Sequence, residues 1–210
     1  MDRRRFLHAA TLLAASAPAL AIAGARAIAA GAIDVEAILN DPATPVAGDP
    51  AGDVTIVAFL DYDSPLCRKA SPDLERFVDD DGKVRLVYKD WPILSDASVT
   101  GARLALAANY QGKYREAHVA MIGVRGRTVD EASLRAAVKG AGIDMALLDA
   151  DGKAHDADIA ALLKRNKDEA DSLGLVGAPV FLIGPFKVDK ALDYDEFKAT
   201  VADFRARVAK

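Results

Sequence analysis

The chain has 210 residues, 51% hydrophobic and 28% charged, a composition that supports one domain with a substantial core and argues against a disordered chain. Its formal charge is −4 and it carries no basic block, which argues against nucleic acid or anionic lipid as a partner. A single cysteine, Cys67, excludes an internal disulfide.

Met1-Asp2-Arg3-Arg4-Arg5-Phe6-Leu7 is a basic start with a twin-arginine pattern, and Ala9 to Ala23 is an alanine-rich apolar run too short to span a bilayer comfortably. Small residues at Ala25 and Ala27 give an Ala-x-Ala cleavage pattern. Residues 1–27 therefore read as a twin-arginine-type signal peptide, and the protein as periplasmic or otherwise exported. Removing that segment, worth +3, leaves the mature chain at −7 with no expected attachment to the membrane. Residues 28–53 carry Pro42, Pro45, Gly48, Pro50 and Gly52 and read as an N-terminal arm ending in turns, with a short helical candidate at Val35 to Leu39.

The main domain is expected over 54–210. Val54 to Leu60 is an apolar, β-branched run of the kind that forms a buried parallel strand. Ser64 then suits an N-cap and Pro65 the first helical position. Behind them Cys67, Ala70, Leu74, Phe77 and Val78 recur at helical spacing, while Pro72 should kink the helix. This pattern turns Cys67 inward and leaves Ser64 at the mouth. Val84 to Tyr88 is a second strand, close enough behind the helix to complete a right-handed β-α-β unit.

A helical stretch follows over about 96–174. Ser98 to Asn109 is helix-compatible, and Tyr114, Ala117, His118, Met121 and Ile122 make the next apolar stripe. Thr128-Val129-Asp130-Glu131 has the pattern of a capping box. The polar run Asp149 to Asp156 reads as a solvated loop; it lacks the third acidic position and the terminal Glu of a calcium loop, and no metal site is expected. Ile159, Leu162, Asn166, Ala170 and Leu173 define a longer helix closed by Gly174. Val180 to Ile183 is a strand introduced by Val176-Gly177-Ala178-Pro179, Gly184-Pro185 turns the chain into Phe186 to Val188, and Tyr194 to Val208 is a final amphipathic helix.

The chemistry concentrates where the first buried strand hands over to a helix. Unpaired backbone N–H groups and the helix dipole at such a junction favour a thiolate. Cys67 is thus a candidate reactive thiol, although burial acts in the opposite direction and leaves a structural thiol equally open. Ser64 is a helix cap or a participant in chemistry; Asp61 and Asp63 either tune the local proton balance or solvate the helix end. A serine hydrolase would need a base, but His118 lies on an apolar stripe and suits a core histidine, and His155 lies in the polar run.

Phe59-Leu60-Asp61-Tyr62, followed by Ser64-Pro65-Leu66-Cys67-Arg68-Lys69, resembles the active-site segment of the DsbA-like thiol-disulfide oxidoreductases, usually Phe-x-Asp-Tyr-x-Cys-Pro-Tyr-Cys-Lys. Asp90-Trp91-Pro92-Ile93-Leu94, Tyr114-Arg115-Glu116-Ala117-His118 and Gly174 to Gly184 match further segments, so the similarity covers roughly 33–206. The resemblance implies an α/β thioredoxin fold, a central mixed sheet with a helical insertion, and implies that Pro179 is the cis-proline beside the active site. It puts Ser64 at the nucleophile position and Cys67 at the resolving one, with Pro65, Leu66, Ala178 and Pro179 bordering the substrate. Extended or cysteine-containing proteins, with glutathione or a redox partner, are the implied partners, and no cofactor is implied. Since serine cannot form a disulfide, a dithiol cycle within one subunit is ruled out. What remains is thiol exchange confined to Cys67, or a non-redox, chaperone-like peptide binder.

Overall fold

The computed structural model describes residues 33–126 and 129–209. The signal peptide expected over 1–27 and Thr128 of the expected capping box lie outside the described residues. A five-stranded mixed sheet organises the rest, with strands β1 (Val46–Gly48), β2 (Val54–Leu60), β3 (Val84–Asp90), β4 (Val180–Ile183) and β5 (Phe186–Val188) in the order β1-β3-β2-β4-β5. β2 and β3 are parallel, Val54 opposite Val84 and Leu60 opposite Asp90; every other pairing is antiparallel. Parallel neighbours require a crossover, supplied by α2 (Pro65–Asp81).

Both faces of the central strands are covered, which is why β2 reads as a continuous apolar run. Ile56, Ala58 and Leu60 face one core with Leu86, Tyr88 and the inner face of α2, and Val57 and Phe59 face a second core with Val87, Trp91, Ala170 and Val180. On α2 the stripe Cys67, Ala70, Leu74, Phe77 and Val78 is fully buried. Leu74, Phe77 and Val78 alone contribute roughly 1.5–3 kcal/mol each through burial. Phe77 also stacks on Phe197 of the last helix, α8 (Tyr194–Val208), at 6.2 Å between centroids. The helix runs through Pro72 without a break and ends at Gly82, whose φ of 67° is the left-handed conformation of a C-cap.

The arm before β2 holds more structure than its turn residues suggest. α1 (Val35–Asn40) tucks Ile38 into the second core, and β1 forms an edge strand antiparallel to β3. Between β3 and β4 lie α3 (Asp96–Asn109), α4 (Tyr114–Ile122), α5 (Glu131–Gly140), α6 (Met145–Ala154) and α7 (Asp156–Ser172). The capping box of α5 is formed by Asp130 and Ser133, two residues later than the Thr128 pattern. The polar run Asp149 to Asp156 is not a loop: it occupies the end of α6 and the start of α7, with His155 at their junction stacked on Tyr110. Asp144 caps α6 through its carboxylate, and Leu148 supplies its buried contact. Among the described residues no helix is long and apolar enough to cross a membrane, and no group of His, Cys, Asp and Glu could hold a metal ion.

Candidate functional site

The end of β2 leads into the turn Asp61-Tyr62-Asp63-Ser64, and α2 begins at Pro65. Ser64 caps the helix: its Oγ accepts a hydrogen bond from the Cys67 N–H at 3.3 Å, satisfying one of the donors that a helix N-terminus leaves open. The same hydroxyl donates to the Ala178 carbonyl at 3.1 Å, across 114 positions of sequence. Cap and far loop are thereby joined through one oxygen. The Ala178–Pro179 peptide bond is cis. Ser64 is 3% exposed, so it is not at the mouth as its position in the sequence suggested; the two side chains that follow it, Pro65 and Leu66, take that place.

Cys67 is 0% exposed. The Asp61 N–H donates to its Sγ at 3.4 Å, and Ser64 and Arg68 also favour the thiolate. Burial outweighs them, helped by the negative charge of Asp61, and pushes the Cys67 thiol up to about 11. The contest between helix position and burial that the sequence left open is decided for burial.

Asp61 does not solvate a helix end either. It is 1% exposed, and its carboxylate accepts hydrogen bonds from the backbone N–H groups of Asp63 (2.8 Å), Ile93 (2.8 Å) and Leu94 (3.1 Å) and from the Ser98 hydroxyl (2.6 Å). Asp63 accepts from Ser95 and from the Val129 N–H, tying the same turn to the caps of α3 and α5. Behind them lies a buried polar cluster. Asp90, at the end of β3, accepts from the Tyr114 hydroxyl at 3.0 Å, and burial pushes its carboxyl up to about 7. Tyr62 reaches His118 Nδ1 at 3.0 Å, and burial holds His118 neutral, down at about 3. His118 is the core histidine that its apolar stripe implied. Nothing in residue type alone marks Asp61 as a structural centre, because three of its four carboxylate donors, Ile93, Leu94 and Ser98, lie more than thirty residues downstream.

A groove of about 200 Å3 opens beside the helix terminus, lined by Leu66, Leu175, Val176, Ala178, Pro179 and Lys187 among others. Leu66 is 53% and Val176 98% exposed. Among the described residues, the backbone N–H groups of Val176, Gly177 and Ala178 meet no backbone or side-chain acceptor. Trp91 packs with Leu175, Val180 and Ala178 in the second core, beneath this segment. The structure thus brings together Ser64, Leu66, Cys67, Ala178 and Pro179, with the sulfur behind the hydroxyl and the groove in front of it.

The sequence matches the thioredoxin family profile over residues 40–203. Among solved structures it is similar to a thioredoxin-like oxidoreductase from Silicibacter pomeroyi DSS-3, at 36% identity over 82% of this chain and 98% of that one, with a TM-score of 0.76. The thiol-disulfide exchange protein alpha-DsbA2 from Wolbachia pipientis is 27% identical over 80% of this chain and 91% of its own, with a TM-score of 0.75. A periplasmic thioredoxin-like protein from Salmonella enterica serovar Typhimurium is 26% identical over 81% and 95%, with a TM-score of 0.71. No curated protein sequence gives a significant match. With three quarters of its length covered by that profile, the chain belongs to the thioredoxin family, in its DsbA-like thiol-disulfide oxidoreductase group.

Proposed function

We propose that this protein is an exported DsbA-like family member that binds extended polypeptide in the groove beside Pro179 and runs no dithiol cycle of its own. The observation that carries this reading is the state of Cys67. Its sulfur is buried and its thiol is pushed up to about 11. At pH 7 roughly one molecule in ten thousand would carry the thiolate that exchange requires. The position that would hold a nucleophilic partner is Ser64, whose hydroxyl is engaged by the Cys67 N–H and the Ala178 carbonyl.

Binding is supported by the other half of the site. Backbone N–H groups at Val176, Gly177 and Ala178 that meet no acceptor among the described residues, flanked by exposed Leu66 and Val176, offer an incoming strand main-chain donors and apolar contact together. Export rests on the twin-arginine pattern of residues 3–7 and on the similarity to a periplasmic protein. In this reading Leu66, Ala178 and Pro179 contact the bound segment, Pro65 and Ser64 hold the helix terminus against it, and Cys67 is a buried packing thiol. Neither glutathione nor a redox partner takes part.

The chain's single tryptophan, Trp91, gives a direct assay. Titration with a reduced, alkylated, tryptophan-free polypeptide should change its fluorescence saturably, and Leu66→Glu should weaken the binding at least tenfold. Alkylation removes every thiol from the probe, so binding proceeds without exchange. A flat titration, combined with rapid exchange in which Cys67 attacks a disulfide-bearing peptide, forming a mixed disulfide and releasing the other half as a free thiol, would show the thiol-exchange reading to be the right one.

A further inference from the structure

We propose that the apolar pocket between α1 and the β4–β5 hairpin is a second anchoring site for the bound polypeptide, taking an apolar side chain about four residues from the one seated beside Pro179. This rests on the groove reading given above and adds the class of segment the groove selects, an extended stretch with two apolar side chains about four positions apart.

The pocket has a volume of about 260 Å3 and is lined by Ile33, Val35, Leu39, Leu173, Leu182 and Phe186 among others. α1 turns Ile38 into the second core at 3% exposure but leaves Val35 58% exposed, and Ile33 just before the helix is 48% exposed. Apolar side chains on the rim of an apolar hollow mark a place where something docks, whereas scattered ones do not. The size of the hollow selects the occupant. Small-molecule sites run to ~300–1,000 Å3, so this one suits a single side chain of a longer partner better than a metabolite.

The longer partner is the polypeptide in the groove, because the two hollows adjoin. Lys187 lines both; Leu173 lines the pocket, and Gly174, the next residue, lines the groove. Lys187 therefore sits on the boundary, its Nζ donating to the Leu173 carbonyl at 3.3 Å and its methylene stem adding apolar surface. Val180 lines the groove and Leu182 the pocket. They are alternate residues of β4 and so face the same side of the sheet. β4 has 4 residues, a length of about 13 Å at roughly 3.3 Å per residue. An extended chain lying along this face passes from Pro179 to the pocket in about four residues, an even number that turns both of its anchoring side chains the same way. Beyond β5 the sheet has no further strand among the described residues, which leaves the path along this edge open.

The test titrates labelled, cysteine-free peptides into the folded full chain and reads fluorescence anisotropy. In a background of serine and threonine, one peptide carries two leucines four positions apart, a second keeps a single leucine, and a third spaces the pair by two. The first should bind at least about fivefold tighter than either of the others, since it alone buries a second side chain. Val35→Glu, and independently Ile33→Glu, should bring the ratio of the first affinity to the second to about one; both side chains are exposed, so each variant should fold. Leu66→Glu should weaken every peptide. A parental ratio in both α1-side variants overturns the proposal, as does a spacing of two that binds as tightly as a spacing of four. A ratio of one in the parent also overturns it. Sedimentation then assigns the pocket to a second copy if the protein is a dimer that Val35→Glu dissociates, and to the chain's own residues before Ile33 if it is a monomer. Peptides that fail to bind at all defeat the groove reading together with this one, whereas binding with a ratio of one defeats this one alone.

Discussion

Replacing Ser64 with alanine removes two contacts held by one oxygen. The first is the helix cap to the Cys67 N–H at 3.3 Å; loss of a Ser cap costs about 1 kcal/mol. The second is the bond to the Ala178 carbonyl at 3.1 Å, a net contribution of roughly 1 kcal/mol, more where the abandoned partner stays shielded from water. Because Ser64 is 3% exposed, water does not readily take either place. The expected loss is about 2 kcal/mol, a sizeable part of the ~5–15 kcal/mol available to a domain. Urea unfolding should show it as a lower midpoint at unchanged slope. A loss below ~0.5 kcal/mol would mean that neither bond matters in solution, and the account of Ser64 as the tie between α2 and the groove would be wrong. Polypeptide affinity should fall as well, since the Ala178 carbonyl is then free to move.

Ser64→Cys should create an oxidisable pair, because positions 64 and 67 lie within one helical turn at the head of α2. Mild oxidant should remove both free thiols in the monomer, and two free thiols after oxidation would refute the placement. Asp90 gives a pH prediction with a definite sign. Its folded pKa lies above its model-compound value of 3.8, at about 7, so its contribution to stability is full below pH 4 and is lost as pH rises to 7. That difference is worth at most about 4 kcal/mol. His118 acts oppositely, its folded value of about 3 lying below 6.5, so stability is lost as pH falls through that window. Asp90→Asn should stabilise the protein at pH 8 and unmask the His118 slope below pH 6.5. Urea midpoints between pH 4 and 8 check this, and a variant with the parental pH dependence would sink it.

The parts of the fold visible in the sequence are those specified by near neighbours. Ser64 and Pro65 announce the start of α2, and the spacing of Cys67, Ala70, Leu74, Phe77 and Val78 gives its buried face, since both signals lie within a few turns of one helix. β1 was hidden because three residues between prolines and glycines carry no pattern; its pairing with Val87, Leu86 and Arg85 makes it a strand. The polar run at 149–156 concealed the end of α6, whose helix is fixed by the Asp144 cap and one buried leucine. At the site, Ser64, Cys67 and Pro179 were recognisable from their motifs. The burial of Ser64 and the role of Asp61 were not, because both depend on groups that arrive from Ala178 and from Ile93 to Ser98.

The central claim is that the sulfur takes no part while the protein is folded, and the alkylation rate of Cys67 at neutral pH tests it most directly. With its thiol pushed up from 9.0 to about 11, the native protein should react at least ~100-fold more slowly than free cysteine, with burial slowing it further, and should reach the free rate once unfolded. Labelling of the native protein at the rate of free cysteine, or faster, would contradict the account.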